Sequence, residues 1–158
     1  MKLASIIPKR NLILDLKSRE KKEVVTELVE QLVAAKALPK ARKADVVARV
    51  MMREKQGSTG IQNGLAIPHV KDYPHIKKLV GVFGRSQQGV DFKSNDGKPA
   101  NLFFLLVGPK DANENHLAAL RSIAKMGQDQ SFCGFIIDAE TESDIVDLLN
   151  EADERFGG

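Results

Sequence analysis

His69 ends the run Gly57-Ser58-Thr59-Gly60-Ile61-Gln62-Asn63-Gly64-Leu65-Ala66-Ile67-Pro68-His69. Imidazole is one of few side chains that is nucleophilic near neutral pH. The residues before it suit a meeting with an anion. Glycines let backbone N–H groups crowd towards a bound oxyanion, so Gly60 is a candidate phosphate-binding position. Ser58 and Thr59 add hydroxyl donors and are candidates for the same role, or else are turn residues that satisfy their own backbone. Pro68 fixes its own φ and biases Ile67 towards an extended conformation, which presents the histidine at a defined angle. To act as a nucleophile the ring must be neutral with one free lone pair. The other nitrogen must then give its proton to a fixed acceptor, either a backbone carbonyl or an acid.

Two further residues can join such a site. Arg53 falls at the end of a helix just before the loop, and a guanidinium can bind two oxygens of an oxyanion at once. By position alone it reads as a solvated helix-terminal charge. His116 falls in the first turn of a later helix, where the dipole opposes imidazole protonation and attracts phosphate. In isolation it reads as a half-buried helix histidine. His75 follows Pro74 in a turn and reads as a surface residue. Cys133 sits in the apolar run Ser131 to Ile136 and reads as core. Glu54 reads as a solvated or salt-bridged helix residue. The loop lacks the Gly-Lys-Ser/Thr ending of a nucleotide P-loop, and three dispersed histidines show no zinc-ligand spacing. The expectation is therefore no metal and no organic cofactor.

The elements that must place these groups are readable in outline. A short strand is expected over Asn11 to Leu16. In a helix capped by Ser18, Val24, Val25, Leu28, Val29, Leu32 and Val33 follow a helical period, and Leu38-Pro39 should break it. A second helix is expected over Lys43 to Lys55, ended by Gly57. A short strand reaches His69, and further strands are expected at Leu79 to Arg85 and Asn101 to Val107. The last is almost continuously apolar and should be central. Asn95 to Pro99 is turn chemistry. A third helix from Asn113 should bury Leu117, Leu120, Ile123 and Ala124 and end at Gly127. A short helix is expected over Ser131 to Asp138. Thr141 with Asp144 forms a capping box for a last helix, with a frayed tail from Phe156. These elements predict an α/β fold: residues 1–158 as one sandwich domain, a central mixed β-sheet flanked by α-helices.

The chain has 24 basic and 21 acidic residues, a net charge of +3 that is dispersed along the sequence, and no Trp. Nucleic-acid binding therefore has little support. The longest apolar run, Leu102 to Val107, is too short to cross a bilayer, so no direct membrane insertion is expected. No secretory leader is evident, and a single cysteine fits a cytoplasmic protein.

The stretch from Gly57 to His69 resembles the active-site signature of enzyme IIA domains of the phosphoenolpyruvate-dependent sugar phosphotransferase system, in the mannitol/fructose class that includes nitrogen-regulatory enzyme IIA. The resemblance extends to Arg53-Glu54-Lys55 upstream, and to Asp96-Gly97-Lys98-Pro99, Leu102 to Val107 and Asn115 to Leu120 downstream. It implies a histidine phosphocarrier, a phosphotransferase component with a phosphohistidine intermediate at His69. Arg53 and His116 would complete the catalytic group, with His116 binding phosphoryl oxygens or steadying His69. The implied donor is an HPr-like phosphocarrier protein, and the implied acceptor is an enzyme IIB domain in sugar uptake. The alternative is a nitrogen-type regulator whose phosphorylation controls binding to a target protein. In either case a shallow apolar rim should surround an accessible His69.

Overall fold

A computed structural model describes residues 2–157. The backbone is organised around β5 (Ala100–Val107), an eight-residue strand with no charged side chain. Its side chains alternate between two cores. Leu102, Phe104 and Leu106 enter one; Phe103, Leu105 and Val107 enter the other. A strand buried on both faces needs no polar alternation, which explains its continuous apolar sequence. Each such side chain contributes roughly 1.5–3 kcal/mol on burial.

β4 (Val80–Val90) runs antiparallel to β5, with Phe83 opposite Phe104 and a register shift between Arg85 and Val90. β1 (Leu12–Ile13) adds in parallel on the far side of β4. The other edge of β5 takes two short parallel strands in succession, β2 (Leu65–Ala66) and β3 (His69–Val70). The order is β1-β4-β5-β2, with β3 also paired to β5, so the sheet is mixed as expected. Ile67 and Pro68 separate β2 from β3. Proline has no N–H for a ladder, so an edge position suits it. The Pro68 carbonyl still accepts from the Leu106 N–H at 3.1 Å.

Helices cover both faces. α2 (Lys21–Ala34) and α3 (Lys43–Lys55) pack on the Phe103 side. α1 (Leu3–Ile6), α4 (Asn113–Gly127), α5 (Gln130–Asp138) and α6 (Glu142–Phe156) form the other layer. The Thr141–Asp144 capping box at the start of α6 is present in both directions.

Several local expectations are corrected. Ser18 does not cap α2: the cap position is Glu20, and the Ser18 N–H donates to Glu27 at 2.9 Å. The first strand shrinks to Leu12–Ile13 because Asn11 belongs to a 3-10 turn and its amide donates to the Gly81 carbonyl. α1 carries no strong periodic signal; the Asp153 carboxylate anchors it by accepting from Leu3 and Ala4 N–H. The tail is helical through Phe156, which packs edge-on against Phe132 at 5.3 Å.

Candidate functional site

α3 ends at Lys55, and Gln56 and Gly57 close it by donating to the Arg53 and Glu54 carbonyls. Arg53 thus lies in the last helical turn, where a cation suits the dipole. Its Nη1 donates to the Gly57 carbonyl at 2.9 Å, which ties the guanidinium to the start of the loop. The chain then returns as β2 and β3. His69 is the first residue of β3, paired with Leu106, and is half-buried.

The His69 ring is held in one tautomer. Its Nδ1 lies 2.8 Å from the Ile67 carbonyl. A carbonyl oxygen only accepts, so Nδ1 carries the proton and Nε2 keeps a free lone pair. Burial lowers the His69 pKa below the usual 6.5; the Ile67 carbonyl opposes this, Arg53 and Lys71 add to it, and Glu54 opposes it. The ring is therefore neutral at pH 7.

His116 enters from the first turn of α4. Its ring meets that of His69 edge to face, with centroids 5.7 Å apart and planes at 78°. His116 is only 2 % exposed, and neither ring nitrogen has a hydrogen-bond partner among the described residues. Burial first, and then the neighbouring His69, push its pKa down to about 4. Its ring is seated against Gly108: a Cβ there would lie 2.6 Å from His116 Nδ1. A buried neutral imidazole carries one donor and one acceptor, so this ring retains unused hydrogen-bonding capacity beside His69.

His69, His116 and Arg53 border one open hollow of about 620 Å³. Arg49 and Lys71 add positive charge to its wall, and no carboxylate residue contributes to the lining. The N-terminus of α4 also faces it through Asn113, with no side chain capping that end of the helix. A guanidinium, a neutral ring nitrogen and the start of a helix are thus grouped at one opening, an arrangement suited to receiving an anion. Met52 and Leu117 border the hollow while 67 % and 49 % exposed. Leu117 was expected in the core; α4 instead buries His116, Ala119, Ile123 and Met126 and turns Leu117 outward. It belongs to the rim.

Ser58, Thr59 and Gly60 are placed differently from the sequence expectation. Ser58 Oγ donates to the Phe92 carbonyl at 2.6 Å and accepts from the Gly60 N–H at 3.0 Å. Both the Thr59 N–H, at 3.2 Å, and the Thr59 hydroxyl donate to the Glu54 carboxylate. These donors are occupied within the protein, and none of the three residues borders the hollow. The absence of a side chain at Gly60 serves packing: a Cβ there would lie 2.1 Å from Ser94 Oγ.

Glu54 takes the salt-bridged form of its expectation, and it is buried rather than solvated. Its side chain is 1 % exposed and paired with Lys21 Nζ at 2.9 Å. An acidic residue in the last turn of a helix opposes the dipole, and that mismatch was the available signal of a specific partner. His75 is exposed and stacks edge-on with Tyr73, away from the hollow. Cys133 is buried, with burial pushing its thiol up to about 11. No group of three or more metal-ligating side chains occurs among the described residues, and none of their helices is long and apolar enough to cross a membrane.

Comparison with known proteins agrees with this geometry. Residues 5–152 match the family model described as phosphoenolpyruvate-dependent sugar phosphotransferase system, EIIA 2. The chain is 37% identical over 154 residues to the fructose-specific EIIABC component of Bacillus subtilis, covering 98% of this chain and 24% of that protein. It thus spans about a quarter of that relative's length. It is also 37% identical over 132 residues to a nitrogen regulatory protein of Bradyrhizobium diazoefficiens, covering 82% of each. The crystal structure of the nitrogen regulatory protein IIA-Ntr from Neisseria meningitidis superposes with a TM-score of 0.84 at 31% identity, covering 93% of this chain and 98% of that one. IIA mannitol from Escherichia coli shares the fold, with a TM-score of 0.75 at 22% identity over 94% of this chain and 99% of that one. The chain belongs to the EIIA type 2 family of the phosphoenolpyruvate-dependent sugar phosphotransferase system.

Proposed function

We propose that this protein is a histidine phosphocarrier that accepts a phosphoryl group on His69 Nε2 from an HPr-like phosphohistidine protein. The observation that carries the reading is the bond from Nδ1–H to the Ile67 carbonyl, which fixes the proton on one nitrogen and leaves the other as nucleophile. In the transfer, the Nε2 lone pair forms a bond to phosphorus. The donor's P–N bond breaks, and its electron pair returns to the donor imidazole. Nδ1 keeps its proton throughout, so no separate base is required. Charge on the phosphoryl oxygens is met by Arg53, by the N-terminus of α4 and by the N–H of neutral His116. This is catalysis by alignment and electrostatics. Ser58, Thr59 and Gly60 serve as the support of the loop.

The reverse half uses the same atoms. An acceptor attacks phosphorus in line, and the N–P electron pair returns to Nε2. As proposed, the acceptor is the cysteine of an enzyme IIB domain in a cytoplasmic sugar-uptake relay. The solved complex of enzyme IIA mannitol with phosphorylated enzyme IIB mannitol from Escherichia coli has this fold in its IIA component and gives the partnership its precedent. The exposed Met52 and Leu117 form the apolar rim on which both partners would dock in turn.

A second reading is favoured by the similarity to nitrogen regulatory proteins, which extends over 82% of the Bradyrhizobium relative. Here phosphorylation at His69 would add about −1.5 to −2 charge within the apolar rim and change which protein docks there. Labelled phospho-HPr separates the outcomes. Both readings require label on His69. Rapid onward transfer to a IIB domain supports the relay, and phosphorylation-dependent binding of a target without onward transfer supports the regulator. No label on His69 contradicts both.

A further inference from the structure

We infer that Glu54 is a positioning residue for His69, acting through Thr59 and the Ile67 carbonyl and supplying the negative charge that lets the ring keep its Nδ1 proton as Nε2 bonds phosphorus. This rests on the phosphocarrier reading above and deepens it. The geometry is a continuous chain. Lys21 Nζ, from the first turn of α2, fixes the Glu54 carboxylate at 2.9 Å. The carboxylate accepts both the N–H and the hydroxyl of Thr59. The Thr59 carbonyl accepts the Ile67 N–H at 3.2 Å. The Ile67 carbonyl accepts Nδ1–H of His69 at 2.8 Å. Each link leaves the next residue less freedom, and the last one sets the tautomer.

The same lysine donates to the Phe92 carbonyl at 3.2 Å and stands over the Phe92 ring at 4.5 Å. Ser58 donates to that carbonyl too. One half-buried cation therefore holds both the carboxylate and the Phe92 carbonyl to which Ser58 donates. That arrangement explains why the donors expected to face phosphate point inward. They build the rigid platform on which the histidine is mounted.

The charge has its own consequence. Attack through Nε2 with the proton retained on Nδ1 turns His69 into a phosphorylated imidazolium. The groups that face His69 are mostly cationic or neutral: Arg53 and Arg49 from α3, Lys71 after β3 and His116 from α4, with Asp72 acting on His116. Glu54 is the carboxylate that acts on His69 itself, and it does so in the direction that favours a protonated ring. It therefore offsets Arg53, the adjacent residue on the helix, whose guanidinium holds the oxygens but disfavours the ring's positive charge.

Glu54→Gln tests this, because the amide oxygen can still accept from Thr59 while the charge is lost. Two readouts are needed: 15N chemical shifts of the His69 ring against pH in the unphosphorylated protein, and transfer kinetics from labelled phospho-HPr. The expected result is a lower His69 pKa and a fall in kcat of about tenfold or more, with KM for phospho-HPr little changed. Thr59→Val keeps the charge and removes the hydroxyl half of the link, leaving the backbone N–H on the carboxylate. It should instead yield a mixture of His69 tautomers with the pKa less affected, and it provides the decision if the glutamine variant fails to fold. Unchanged tautomer, pKa and kcat in the variants that fold would overturn the inference. The ring titration does not depend on phosphotransfer, so absence of label in the unaltered protein would count against the phosphocarrier reading alone.

Discussion

The rings of His69 and His116 meet edge to face at 5.7 Å, and only His69 has a hydrogen-bond partner for a ring nitrogen among the described residues. This asymmetry assigns their roles. The tethered ring has one defined nucleophilic nitrogen. The untethered ring, buried and neutral, has polar capacity that a phosphoryl oxygen can use. The following predictions derive from that division.

His116 should make the fold sensitive to mild acid. Its pKa is about 4 in the folded protein, against 6.5 for an ordinary histidine. Above pH 6.5 both folded and unfolded states hold a neutral ring, and there is no penalty. Between pH 6.5 and about 4 the unfolded chain binds a proton that the folded chain refuses, so stability falls as pH falls. The full loss is on the order of 3 kcal/mol. His116→Gln should flatten this slope in urea unfolding measured from pH 7 to pH 4. An unchanged slope would show that the ring is not held neutral by the fold.

Gly108→Ala should displace His116 while leaving His69 in place. The new Cβ would lie 2.6 Å from His116 Nδ1, closer than atoms tolerate. Overpacking of this kind costs about 1–3 kcal/mol of stability. Phosphoryl transfer should slow, and the 15N spectrum should still show His69 protonated at Nδ1. A normal transfer rate would mean that the position of His116 is not critical.

Arg53 should act on the transition state more than on folding. Arg53→Gln removes the guanidinium beside the nucleophile, and loss of such a charge partner costs on the order of 10²-fold in kcat. Because Arg53 holds the His69 pKa down, its removal should also raise that pKa. The two effects are separable by single-turnover labelling and by NMR titration. A raised pKa with full activity would assign Arg53 to electrostatics of the ring and not to phosphoryl binding.

Met52→Asp and Leu117→Asp should weaken docking without touching the chemistry. Both side chains are exposed on the border of the hollow. KM for phospho-HPr should rise by about tenfold, the equivalent of roughly 1.4 kcal/mol, with kcat nearly unchanged. Thermal stability should hold, since neither residue contributes to the core. No change in KM would place the partner surface elsewhere.

The sequence carried the sheet's central strand, the main helices and the short strand that presents His69, because each has a strong local signature: an unbroken apolar run, a helical period, a Gly-rich loop ending in Pro-His. It was weaker where two meanings share one pattern. Leu117 reads as core because an apolar residue one helical turn from Leu120 usually is, yet α4 rotates it outward and buries His116. Periodicity cannot distinguish a core position from an apolar docking position on the same helix. Ser58, Thr59 and Gly60 were read as donors for an external anion, but a buried carboxylate from α3 and a carbonyl from Phe92 occupy those donors. That competition is set by tertiary packing, which brings the Glu54 carboxylate and the Phe92 carbonyl to the loop. The tail at Phe156 is ordered for the same reason: its ring finds Phe132, and Arg155 pairs with Asp129.

The central claim is that Nε2 of His69 is the atom that receives phosphorus. 15N and 31P NMR of the protein labelled from phospho-HPr tests it directly. The expected spectrum shows a single phosphohistidine, bonded through Nε2, with Nδ1 still protonated, and no label in His69→Ala. Phosphorus bonded to Nδ1, or label that persists on His116 in the His69→Ala protein, would contradict the account.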